Sequence, residues 1–137
     1  MRVGTPPIIA LAALDAALDA WDGVDMVDVR RQSIALIDLF IHEVEARCPE
    51  LTLASPRDGA RRGSQVSFRH PDGYAIMQAL IARGVIGDFR APDAMRFGFT
   101  PLYIGESEVR AAVGILADVV NHRRWDAPEY HARALVT

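Results

Sequence analysis

Arg96 is the side chain in this sequence best placed to do ligand chemistry. It lies within Val85–Tyr103, VIGDFRAPDAMRFGFTPLY. Two short strand-like runs, Val85–Phe89 and Met95–Phe99, flank the polar, proline-bearing turn Arg90-Ala91-Pro92-Asp93-Ala94. Side chains alternate across a strand, so Met95, Phe97 and Phe99 share an apolar face and Arg96, Gly98 and Thr100 share the other. A planar guanidinium between small neighbours matches a carboxylate or phosphate with two parallel donors. The same residue also suits a structural ion pair with Asp88 or Asp93, and the pattern alone leaves both readings open.

Other chemistry-bearing residues are weaker candidates. Arg57, Arg61 and Arg62 lie in the polar stretch Pro56–Gly63, where they suit a phosphate or, more simply, a solvated loop. His42 has no glutamate or second histidine at metal-ligand spacing, so it reads as structural, and no metal site is expected. Cys48, the single cysteine, excludes an internal disulfide and fits a reducing cytosol. Beside Pro49 it lacks an evident base, and no Ser/His/Asp or Cys/His set can be assembled. Asp15, Asp19 and Asp22 read as a solvated helix face. All 15 basic residues are arginine, and the chain contains no lysine.

Half of the 137 residues are hydrophobic and the net charge is −3, an ordinary globular composition that gives no reason to expect nucleic acid as a partner. No apolar run approaches the roughly 20 residues of a membrane helix, and the N-terminus lacks a signal-peptide pattern. A cytoplasmic location is expected.

The pattern V-I-G-D-F-R-x-P-D-x-x-R-F-G-F-T-P-L-Y resembles the C-terminal signature of kynureninase, a pyridoxal-phosphate enzyme with the fold of the aspartate aminotransferase relatives. The resemblance extends through Ser64-Gln65-Val66-Ser67-Phe68-Arg69-His70 and back to Gly4-Thr5-Pro6-Pro7-Ile8, so it covers nearly the whole chain. It loosens after Tyr103, where Ile104-Gly105 replaces an expected polar or basic pair. The resemblance implies that Arg96 clamps the α-carboxylate of an amino-acid substrate. It also implies that Gly4 and Thr5 reach the cofactor phosphate of a neighbouring subunit at a helix N-terminus. Such enzymes hold pyridoxal phosphate covalently on a lysine amine, which this chain cannot supply. The implied catalytic lysine therefore belongs to a preceding large domain, the implied assembly is a homodimer, and the chain alone is expected to be inactive. Arg90 and Asp88 are expected to pin the turn, and Tyr103 to pack at the domain junction.

Periodicity supplies the elements that must position Arg96. Thr5 as N-cap and Pro6 at the first helical position open a helix with Ile8, Leu11, Leu14, Leu18 and Trp21 along one stripe, ended by Gly23. Asp25 caps a second helix, of about 22 residues by its period, whose wide apolar surface includes Ile34, Ile37, Ile41 and Val44 and which stops at Arg47-Cys48-Pro49. Leu51–Ala54 and the alternating Val66, Phe68 and His70 read as strands. Asp72 caps a helix at Gly73–Arg83 that turns Tyr74, Met77, Leu80 and Ile81 inward and ends at Gly84. Gly105-Glu106-Ser107-Glu108 opens a last helix with Val109, Val113, Leu116 and Val120 inward, and Trp125–Thr137 is expected to run along the surface.

The expected fold is α+β: a two-layer sandwich of three or four mostly antiparallel strands with helices on one face. The segment Val66–Val85 suits a split βαβ crossover, with the Met95 strand returning antiparallel. Residues 1–24 are expected to form a helix leading in from the large domain, and residues 25–137 the small C-terminal domain. A cysteine-desulfurase-like lyase or an aminotransferase would share this fold. The alternative from another class is a free-standing, non-enzymatic module that dimerises or binds a small carboxylate.

Overall fold

A computed structural model describes residues 7–132 of the chain. In order these form α1 (Ile8–Leu18), α2 (Met26–Arg47), β1 (Thr52–Leu53), β2 (Gln65–Arg69), α3 (Gly73–Ile81), β3 (Asp88–Arg90), β4 (Ala94–Gly98), α4 (Glu106–Asn121) and α5 (Pro128–His131). The strands make one open sheet in the order β1-β2-β4-β3, antiparallel throughout. Because β2 and β3 both run against the intervening β4, they are parallel to each other and are joined through α3. This is the split βαβ arrangement expected from the sequence.

Alternation along the strands sorts the two faces of the sheet. Val66, Phe68, Met95 and Phe97 point inward and are buried, as is Phe99 just beyond β4. They meet Ile37, Phe40 and Val44 of α2 and Val109, Val113 and Leu116 of α4 in one core. The Phe40 ring lies 5.0 Å from both Phe97 and Phe99. Each such side chain, fully buried, contributes about 1.5–3 kcal/mol relative to exposure. The other face of the sheet carries Gln65, Ser67 and Arg69 of β2 and Arg96 and Gly98 of β4, none of them buried.

Helix ends follow local chemistry, with some differences from expectation. Asp25 caps α2 by accepting a 2.8 Å bond from the Val27 N–H. Asp72 does not cap α3 with its side chain; its own N–H instead donates to Nδ1 of the buried His70 at 3.0 Å. Ile81, expected to turn inward, is exposed at the end of α3. Trp125, expected in a surface tail, is buried against His70, with ring centroids 5.8 Å apart. The turn after α4, with Arg123 at a positive φ of 49°, sends the chain back over the core.

The run Val85–Phe89 is not all strand, because β3 begins only at Asp88. Gly84, at φ 83°, closes α3 in a left-handed turn, and the Val85 N–H donates to the Leu80 carbonyl at 3.0 Å. That bond belongs to the helix cap, so Val85 cannot enter the ladder. None of the residues of α1 is buried. Its sequence IIALAALDAAL is apolar on nearly every side, so no single stripe forms. The described helix begins at Ile8 with Pro7 in the N-cap position, later than the start expected at Thr5 and Pro6. Gly4 and Thr5 themselves lie outside the described residues.

Candidate functional site

The polar face of the sheet is built around Arg96. In the register, Arg96 of β4 stands between Ser67 of β2 and Asp88 of β3. Its neighbours along that face are Ala94 and Gly98, and a Cβ added at Gly98 would approach nothing closer than the Ser64 carbonyl at 3.9 Å. The face is uncrowded at Gly98, and the Arg96 side chain itself keeps 29% of its exposure.

Asp88 is its partner. Arg96 Nε donates to Asp88 Oδ2 at 2.9 Å, and Arg96 Nη2 donates to the same oxygen. Arg90 Nε lies 3.1 Å from that oxygen as well, an ion pair on the same strand. The Arg96 hydrogen bond holds the Asp88 carboxyl below the usual carboxylate range; the charges of Arg90 and Arg96 assist, and desolvation opposes them. Of the two partners the sequence offered, Asp93 falls instead to Arg69, at a looser 3.9 Å. One carboxylate thus faces two guanidinium groups, an excess of positive charge suited to an anionic ligand.

Gly87 helps to bring Asp88 into register, a role the sequence reading passed over. A Cβ there would lie 2.7 Å from Met77 Cε and 2.9 Å from the Arg96 carbonyl, so only glycine lets the chain enter β3 this close to β4. The signal was present in the adjacency of Gly87 to Asp88, but nothing in a strand pattern says which side chains crowd a glycine.

The remaining candidates are not brought to this place. Arg62 is buried and ties the 56–63 loop to α2 by bonding Asp38 and the Pro56 and Arg57 carbonyls. Arg30 donates to the Gly59 and Arg62 carbonyls, at 2.5 and 2.6 Å. Arg57 pairs with Glu45 on the surface, so two of the three loop arginines are used structurally. His42 is exposed. Among the described residues no three His, Cys, Asp or Glu side chains gather as a metal site. Cys48 is buried, and burial pushes its thiol up to about 11. A cavity of about 300 Å³ is walled mainly by the apolar side chains Phe40, Phe97, Phe99, Val109 and Ile115 and is not lined by Arg96. Tyr103 is largely exposed.

An open antiparallel sheet of the split βαβ type, helices on one face and an arginine row on the other, defines a small α+β domain. The family model for the kynureninase C-terminal domain matches residues 29–116, and the chain belongs to that family. Kynureninase of Pseudomonas fluorescens is 53% identical over 136 residues, which is 98% of this chain and 33% of that protein. Kynureninases of Burkholderia mallei strain SAVP1 and Burkholderia pseudomallei strain K96243 are 50% identical over the same coverage. The chain thus spans about a third of the length of the curated relatives it matches. Its own donor set does not fit a covalently held pyridoxal phosphate, since it has no lysine.

Proposed function

We propose that the chain is the substrate-carboxylate arm of a kynureninase-like hydrolase. The complete enzyme would cleave the Cβ–Cγ bond of L-kynurenine with water, giving anthranilate and L-alanine in tryptophan catabolism. Pyridoxal phosphate, held on a lysine of a preceding large domain, would serve as electron sink. Gly4 and Thr5 would reach that cofactor's phosphate across a homodimer interface, and the enzyme would be cytoplasmic, with neither nucleic acid nor membrane as partner.

One observation carries the reading: Arg96 stands on the central strand β4, partly exposed, in a region of excess positive charge. In the proposed enzyme its task is positioning. A carboxylate gripped by paired N–H donors fixes the substrate's Cα and limits rotation of the bond to be broken. Lysine at this position keeps the charge and loses the planar fork. In the complete enzyme, Arg96→Lys is expected to lower kcat/KM by roughly 30- to 1,000-fold, about 2–4 kcal/mol of transition-state binding. Parent-like kcat/KM on folded Arg96→Lys protein would refute the clamp.

A further inference from the structure

A guanidinium has two usable edges. The side edge offers one N–H from Nε and one from Nη2, and the end edge offers one N–H from each of Nη1 and Nη2. Asp88 takes the side edge of Arg96, since its Oδ2 accepts from both Nε and Nη2. Among the described residues no group bonds Nη1, so the end edge is open. A single arginine can hold two carboxylates in this way, one on each edge, without either displacing the other.

We propose that Asp88 is a positioning residue that fixes Arg96 by its side edge and so presents the Nη1–Nη2 end to the substrate carboxylate. The inference rests on the reading of Arg96 as the carboxylate clamp. Three features of the site support it. Asp88 and Arg96 are direct cross-strand partners, so their separation is set by the ladder and not by two flexible side chains. The Asp88 side chain is itself anchored by Arg90, which also offsets its charge and leaves the site positive with Asp88 ionised. Gly87 lets β3 lie close enough to β4 for the pair to meet. An arginine on an open face without such a partner would sample several rotamers, and each ligand would have to order it anew.

The alternative role for the same contact has the opposite sign. If Asp88 were only a competitor for Arg96, its removal would free a donor and add positive charge, and substrate would bind more tightly. If it orients the fork, removal weakens binding. The test is steady-state kinetics on the complete holoenzyme containing this domain, using Asp88→Asn, Asp88→Glu, Arg96→Lys and the double variant Asp88→Asn/Arg96→Lys. The probes are L-kynurenine and, as an inhibitor, its amine analogue lacking the α-carboxylate.

Asp88→Asn is expected to raise KM about tenfold with kcat within about threefold of the parent, and to leave the amine's inhibition constant unchanged. In the Arg96→Lys background the same substitution is expected to change KM by less than about twofold, because the fork it orients is gone. If Asp88→Asn does not fold, Asp88→Glu, which keeps the charge but displaces the oxygen, is expected to raise KM instead. Parent-like or lower KM in the folded Asp88 variant overturns the inference, as does an equal effect of Asp88→Asn in both backgrounds. The clamp reading fails separately: an unimpaired Arg96→Lys removes it, and this inference with it. An impaired Arg96→Lys beside an unimpaired Asp88 variant removes this inference alone.

Discussion

At the scale of single residues, strand alternation placed Arg96 on the polar face and Met95, Phe97 and Phe99 in the core, and the sheet has that arrangement. What alternation could not choose was the partner. Asp88 and Asp93 are both near in sequence, and the selection of Asp88 follows from register, which depends on where β3 begins. That start is set by the Gly84 cap and the crowded Gly87, two close approaches that have no period to read. Cys48 is the second residue whose chemistry its surroundings decide. It is fully buried, and burial raises its thiol to about 11, so it is protonated at neutral pH and shielded from attack. A thiol-specific dye at pH 8 is expected to leave native protein unlabelled over minutes and to react with one thiol per chain in denaturant. Rapid native labelling would contradict the burial assigned to it.

At the scale of elements, helices were the most legible parts, because long periodic runs and caps reinforce each other. Asp25 and the Arg47-Cys48-Pro49 stop bound α2 as expected, and Glu108 accepts from the Gly105 N–H at 2.9 Å where the acidic helix start was read. Trp125 was misread because a tertiary contact draws it onto His70, whereas Ile81 is left outside because a local cap ends α3 early. The C-terminal ends of α3 and α4 are joined by Asp118, which accepts 2.7 Å bonds from both Arg83 and Arg124. Those bonds, that from Arg124 foremost, hold its carboxyl below the usual range. A carboxylate with a depressed folded-state pKa adds stability above its unfolded value of about 4 and loses it as pH falls through the folded value. Asp118→Asn is therefore expected to be less stable than the parent at pH 7, with the difference shrinking below about pH 4. Denaturant unfolding at pH 7 and pH 3 measures this, and an equal difference at both would count against the Asp118 link.

At the scale of the whole molecule, the described core draws on α2 through Trp125, while α1 leaves Ile8, Ile9, Leu11 and Leu14 exposed. An apolar helix with no buried residue is poorly matched to water, and in the proposed enzyme it would pack against the large domain or the second subunit. The absence of lysine was visible in the sequence, and in the proposed enzyme it is the chemical reason this domain would need that partner. There Arg96 would hold the substrate but could not bring cofactor chemistry to it. In the proposed enzyme the carboxylate arm and the cofactor lysine thus belong to different parts of one protein. The most direct test is anthranilate release from L-kynurenine with saturating pyridoxal phosphate, by this chain alone and by the same chain joined to the preceding two-thirds of a kynureninase. None is expected from the chain alone, and sustained turnover is expected from the joined protein. Anthranilate above the blank from the chain alone, or none from a folded, cofactor-loaded joined protein, would contradict that division.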